Sequence, residues 1–128
     1  MDNSSSNKKK ILIVEDDFFI RDLYEIQARK TGYEVVTATD GEEALAKVKE
    51  ELPNLVILDI MLPKMDGISV LKSLKADGKL SGIPCVLVTN LEDPLKEREA
   101  MQEGAAAYFL KIKTTPQQLI GTVAQYLT

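Results

Sequence analysis

Four short runs in this chain are apolar at every position and then stop at a polar or charged side chain. Ile11-Leu12-Ile13-Val14 ends at Glu15, Leu55-Val56-Ile57-Leu58 at Asp59, Cys85-Val86-Leu87-Val88 at Thr89, and Ala107-Tyr108-Phe109-Leu110 at Lys111. A strand with one wet face alternates apolar and polar residues. Without alternation, the first two of these runs read instead as strands buried on both faces, so helices are needed above and below the sheet.

The intervening segments supply those helices. Asp17 is a candidate N-cap, and Phe18, Ile20, Leu23, Ile26 and Gln27 have helical spacing until Thr31-Gly32 stops them. Tyr33 to Ala38 reads as another strand, and Asp40-Gly41-Glu42-Glu43 opens a helix over Ala44 to Glu50 that Pro53-Asn54 closes. Further helices are expected from about Ile68 to Ala76, from Asp93-Pro94 to near Glu103-Gly104, and from Thr115-Pro116 through Leu127. Strands that alternate strictly with helices imply right-handed crossovers and an α/β fold, an open doubly wound parallel sheet with five strands and five helices. The 128 residues suit a single domain over residues 10–128, preceded by a flexible N-terminal tail at residues 1–9.

Composition narrows the chemistry. No stretch approaches the roughly 18 apolar residues of a membrane helix, and the run after the polar N-terminus is too short for a signal sequence. Cys85 has no partner for a disulfide, so a reducing, cytoplasmic setting is expected. A net charge of −4 with only Lys8-Lys9-Lys10 as a basic patch argues against nucleic-acid binding. Histidine is absent, so any imidazole chemistry has to come from another protein.

In doubly wound sheets the ligand site lies beyond the carboxyl ends of the strands. Glu15, Asp16, Asp59, Thr89 and Lys111 all fall there. One acid after a strand is ordinarily just a solvated strand end, one lysine a surface lysine, and one threonine a strand former. Convergence changes the reading. Carboxylates about 4 Å apart repel by roughly 4 kcal/mol at an effective dielectric of 20, so the cluster calls for a cation or for shifted pKa values. Oxygen ligands without nearby His or Cys fit Mg²⁺ or Mn²⁺. A carboxylate beside such a cation can act as nucleophile toward phosphorus, with Lys111 and Thr89 placed to bind the transferring oxygens.

Ile11-Leu12-Ile13-Val14-Glu15-Asp16-Asp17, Asp59-Ile60-Met61-Leu62-Pro63-Lys64-Met65-Asp66-Gly67, Val88-Thr89 and Tyr108-Phe109-Leu110-Lys111 together resemble a response-regulator receiver domain of two-component signalling, of the chemotaxis-regulator kind. The likeness spans Lys10 to Leu127 and implies a flavodoxin-like strand order 2-1-3-4-5. It also implies phosphorylation of Asp59 by a partner histidine kinase or phosphotransfer protein. Asp16 and Asp59 would bind Mg²⁺ or Mn²⁺, Glu15 would act on the metal largely through water, and the Met61 backbone carbonyl would be a further ligand. Thr89 and Lys111 would grip the phosphoryl group, and Tyr108 would follow Thr89 as a switch toward an output protein on the last strand and last two helices. Pro63 and Gly67 would shape the loop, and Asp66 would cap the helix after it. On this reading the chain is not an enzyme, catalysing only its own phosphorylation and dephosphorylation.

Two departures stand out. Ile112 follows Lys111 where the family usually has proline, so a trans bond is expected. Asn90 replaces the small residue common after the threonine. Met61 and Leu91 are expected to flank the acceptor, and since neither can orient a water, a long-lived aspartyl phosphate is expected.

An aspartyl-phosphate hydrolase would need the second acid of a D-x-D-x-T signature, which Asp59-Ile60-Met61 lacks. A nucleotide carrier would not place Glu15-Asp16-Asp17 where a phosphate should sit. The remaining alternative is a receiver fold that works as an interaction module without phosphorylation. No DNA-binding segment follows the last helix, so a regulator acting by protein contact is the direct reading, although a piece of a longer protein would look identical.

Overall fold

The computed structural model describes residues 8–127. The tail expected over residues 1–9 therefore lies, up to residue 7, outside the described residues. Strands β1 (Lys10–Val14), β2 (Glu34–Ala38), β3 (Leu55–Leu58), β4 (Cys85–Thr89) and β5 (Ala107–Leu110) alternate with helices α1 (Phe18–Thr31), α2 (Gly41–Glu51), α3 (Gly67–Ala76), α4 (Pro94–Gln102) and α5 (Pro116–Val123). All pair in parallel, in the order β2-β1-β3-β4-β5. This is the flavodoxin-like doubly wound fold that the alternation implied.

Strand side chains point alternately to the two faces, and here both faces are covered. Leu12, Val14, Val56, Leu58 and Leu87 pack with Ala44 and Val48 of α2, Leu71 and Leu74 of α3 and Ala100 of α4. Ile11, Ile13, Leu55, Ile57, Val86 and Val88 pack with Tyr24 and Ala28 of α1 and Leu119, Ile120 and Val123 of α5. That two-sided burial is why the central strands are apolar except at their ends, where Lys10 opens β1 and Thr89 closes β4.

The helix starts follow the expected caps. Asp17, Asp40, Asp66 and Asp93 each accept a backbone N–H from the first turn of the following helix, and Thr115 forms a reciprocal capping box with Gln118. Two expectations need correction. Phe18, Leu23 and Ile26 of α1 are exposed; its core face is Tyr24 and Ala28, one turn apart, with the partly buried Ile20 one turn earlier. The small Ala28 permits close approach to the sheet, so size misled the hydrophobic spacing. The last helix is regular only to Val123 and tightens into a 3₁₀ turn at Ala124–Tyr126, a common way to satisfy terminal carbonyls. Among the described residues no helix is long and apolar enough to cross a membrane.

Candidate functional site

The winding reverses between β1 and β3, where Val14 lies opposite Leu58 and the Asp59 N–H donates to the Val14 carbonyl at 3.2 Å. Glu15 and Asp59 therefore leave adjacent strand ends. β4 extends the edge through Thr89, which is in register with Leu110, so Lys111 emerges beside the same cleft. Glu15, Asp16 and Asp59 each present a carboxylate oxygen within 4.8 Å of the others. Glu15 and Asp59 are buried and Asp16 is exposed to the solvent side.

Lys111 is the cation facing this cluster. Its Nζ donates to Asp59 Oδ2 at 2.6 Å and lies 2.5 Å from Glu15 Oε1. Apart from this ion pair, the buried Glu15 Oε1 has no polar partner among the described residues. Glu15 Oε2 accepts the Asp17 N–H at 3.0 Å. Burial pushes the Glu15 carboxyl above the usual carboxylate range, and Lys111 offsets this only in part. Burial alone would lower the Lys111 pKa, but Asp59 and Glu15 together outweigh it and leave it raised. One ammonium against three carboxylates leaves the cluster short of positive charge. A buried carboxylate oxygen whose one partner is the shared lysine, in an all-oxygen donor set, fits a hard divalent cation.

The Met61 N–H donates to Asp59 Oδ1 at 3.2 Å, so its backbone folds back over the Asp59 carboxylate while its side chain is exposed. Met61, Asn90 and Lys111 join the acids in lining an open cavity of about 290 Å³. Thr89 is fully buried, and its Oγ1 accepts the Leu91 N–H at 3.1 Å. The half-buried Tyr108 donates its hydroxyl to the Leu91 carbonyl at 2.8 Å. Thr89 and Tyr108 are thus joined through one loop residue. Leu91 itself packs against the core on the α2–α4 face. This corrects the expectation that Leu91 flanks the acceptor; Asn90 lines that cavity.

Other supports were not anticipated. Arg21, four residues beyond Asp17, returns its Nη1 to the Glu15 carbonyl at 2.9 Å and stacks its guanidinium over the Phe18 ring at 5.6 Å. Gly41 packs so closely on the β3–α3 loop that a Cβ would lie 2.0 Å from the Met65 carbonyl oxygen. Gly67, expected to shape that loop, would place a Cβ 2.1 Å from the carbonyl oxygen of Asp59 itself. After Lys111 the chain makes a 3₁₀ turn at Lys111–Lys113 that leaves Ile112 exposed, and no peptide bond among the described residues is cis.

The family model described as the response regulator receiver domain matches residues 11–124. Among curated proteins, a probable transcriptional regulator, ycf27, of Cyanophora paradoxa is 43% identical over 94% of this chain and 49% of its own length. The chain spans about half the length of such relatives. Among solved structures, a CheY-like response regulator receiver domain protein from Methanospirillum hungatei is 32% identical with a TM-score of 0.88, covering 94% of both chains. The Mn²⁺-bound form of response regulator Rcp1 is 27% identical with a TM-score of 0.83, covering 93% of this chain and 94% of its own.

Proposed function

The chain belongs to the response regulator receiver-domain family, and on that premise we propose that it accepts a phosphoryl group on Asp59 from a partner histidine kinase or phosphotransfer protein. The observation that carries this reading is the contact of Lys111 Nζ with Asp59 Oδ2 at 2.6 Å, inside a cluster with Glu15 and Asp16. An Asp59 oxygen attacks phosphorus, the bond from phosphorus to the donor nitrogen breaks, and the electron pair leaves with the donor. Lys111, already at the acceptor oxygen, turns its charge to the arriving phosphoryl oxygens. The Thr89 hydroxyl accepts from Leu91 and keeps its own proton to donate to the same group.

Asp16, Asp59, Glu15 and the Met61 carbonyl would hold Mg²⁺ or Mn²⁺, whose chemistry is to neutralise charge on the transferring oxygens. The chain acts on no other substrate in this reading and works as a cytoplasmic switch. When Thr89 turns toward the phosphoryl group, it releases its hold on Leu91, and Leu91 also anchors Tyr108. The face formed by α4, β5 and α5 then changes for an output protein, through a shift between existing conformations.

Mass spectrometry after incubation with acetyl phosphate or phosphoramidate and Mg²⁺ tests this. A phosphoryl adduct on Asp59 is expected, and none with Asp59→Asn. An unmodified Asp59 with every donor would favour a receiver fold that signals by contact alone.

A further inference from the structure

We propose that Asn90 sets the lifetime of the aspartyl phosphate by holding the water that hydrolyses it, an inference that rests on Asp59 being the phosphoacceptor. The residues on either side of Asn90 are fixed. Thr89 is fully buried at the end of β4, and Leu91 is pinned by the Thr89 hydroxyl on its N–H and by the Tyr108 hydroxyl on its carbonyl. With Leu91 packed on the core, Asn90 between them is exposed and lines the acceptor cavity with Asp59 and Lys111. Its carboxamide makes no hydrogen bond among the described residues, so both its donors and its acceptor are open to water. The neighbouring Met61 side chain offers nothing comparable.

Hydrolysis needs a water in line with phosphorus. The water oxygen bonds to phosphorus, the bond to the Asp59 oxygen breaks with its electron pair staying on the carboxylate, and both water protons leave on H₂PO₄⁻. Asn90 Oδ1 accepts a hydrogen bond from that water and directs its lone pair at phosphorus, a positioning effect that removes part of the entropic barrier. Apolar Met61 and Leu91 together pointed to a long-lived phosphate; with Leu91 packed on the core instead, an amide in the cavity points the other way.

The test follows loss of phosphate from Asp59 in the wild type, Asn90→Ala and Asn90→Leu after the donor is removed. Both variants should decay about tenfold more slowly than the wild type, because neither replaces the amide. Asn90→Gln should restore part of the rate. Thermal melting and beryllofluoride binding should be unchanged, which separates water positioning from a structural role. If the amide merely shields the phosphoryl group, Asn90→Ala will decay faster; that result, or equal decay in all forms, overturns the inference while leaving phosphorylation of Asp59 intact. Absence of any adduct in the wild type overturns both.

Discussion

Lys111 Nζ lies between two buried carboxylates, 2.6 Å from Asp59 Oδ2 and 2.5 Å from Glu15 Oε1, and so sits where their charge most needs compensation. Both acids remain buried if the lysine is lost. Breaking a buried pair by removing one partner costs about 3 kcal/mol or more, so Lys111→Met should destabilise the metal-free protein by that order. A divalent cation would then compensate the same carboxylates. Mg²⁺ should therefore raise the melting temperature of Lys111→Met more than that of the wild type, and equal increments would count against a shared electrostatic site.

Gly67 and Gly32 separate two reasons for glycine. At Gly67 a Cβ would lie 2.1 Å from the Asp59 carbonyl oxygen, and backbone cannot yield as a flexible side chain does. Gly67→Ala should cost about 3 kcal/mol and displace Asp59, lowering the rate of phosphorylation as well as stability. Gly32 has φ of +106° with nothing near its Cβ position. Gly32→Ala should cost about 1 kcal/mol and leave phosphorylation unchanged. Chemical denaturation and adduct formation on the two variants check both statements.

Much of the fold was legible because strands buried on both faces leave no room for polar residues, so the runs ending at Val14, Leu58 and Val88 could hardly be anything else. The acids after them were legible for the same reason. The contact face of α1 was not, because it depends on how closely a helix approaches the sheet, and Ala28 allows that approach while Phe18 and Leu23 stay outside. Nor could the sequence decide which of Asn90 and Leu91 faces the cavity. That depends on the Leu91 N–H donating to Thr89 and the Tyr108 hydroxyl donating to the Leu91 carbonyl, and the strands of Thr89 and Tyr108 are adjacent only after folding. Arg21 left a weak signal, a basic residue one turn beyond the Asp17 cap.

Cys85 gives an alkaline limit to stability. Burial pushes its thiol from 9.0 up to about 11, with Lys75 pulling back only slightly. Below pH 9.0 the thiol is neutral in both states. As pH rises from there, the unfolded chain ionises first, so stability is lost progressively until about pH 11, where the folded thiol also ionises. A shift of this size corresponds to roughly 3 kcal/mol. Burial moves Tyr24 up to about 12 and adds to the loss from pH 10.0. Denaturant unfolding across this range should show the decline, and Cys85→Ala should flatten its first part while lowering stability at neutral pH through the cavity it leaves.

Arg21 presents the sharpest opposition of signs. Its guanidinium reaches the Glu15 carbonyl at 2.9 Å and lies 5.6 Å from the Phe18 ring centroid, tying α1 back onto the loop that carries Glu15, Asp16 and Asp17. Viewed only as a charge, Arg21 repels a cation entering the acid cluster, and Arg21→Ala should then tighten Mg²⁺ binding. Viewed as a brace, it holds the loop in the shape that brings the three carboxylate oxygens within 4.8 Å. Outer partners that orient metal ligands commonly contribute about tenfold or more to affinity. Such a loss would exceed what a screened, partly exposed charge contributes through Coulomb repulsion in water. Arg21→Ala should therefore bind Mg²⁺ about tenfold more weakly despite losing a positive charge. Arg21→Lys keeps the charge and one donor and should fall between the two. Calorimetric or fluorescence titration of the three forms decides the matter, since affinity equal to or greater than wild type in Arg21→Ala would reduce Arg21 to an ordinary surface cation.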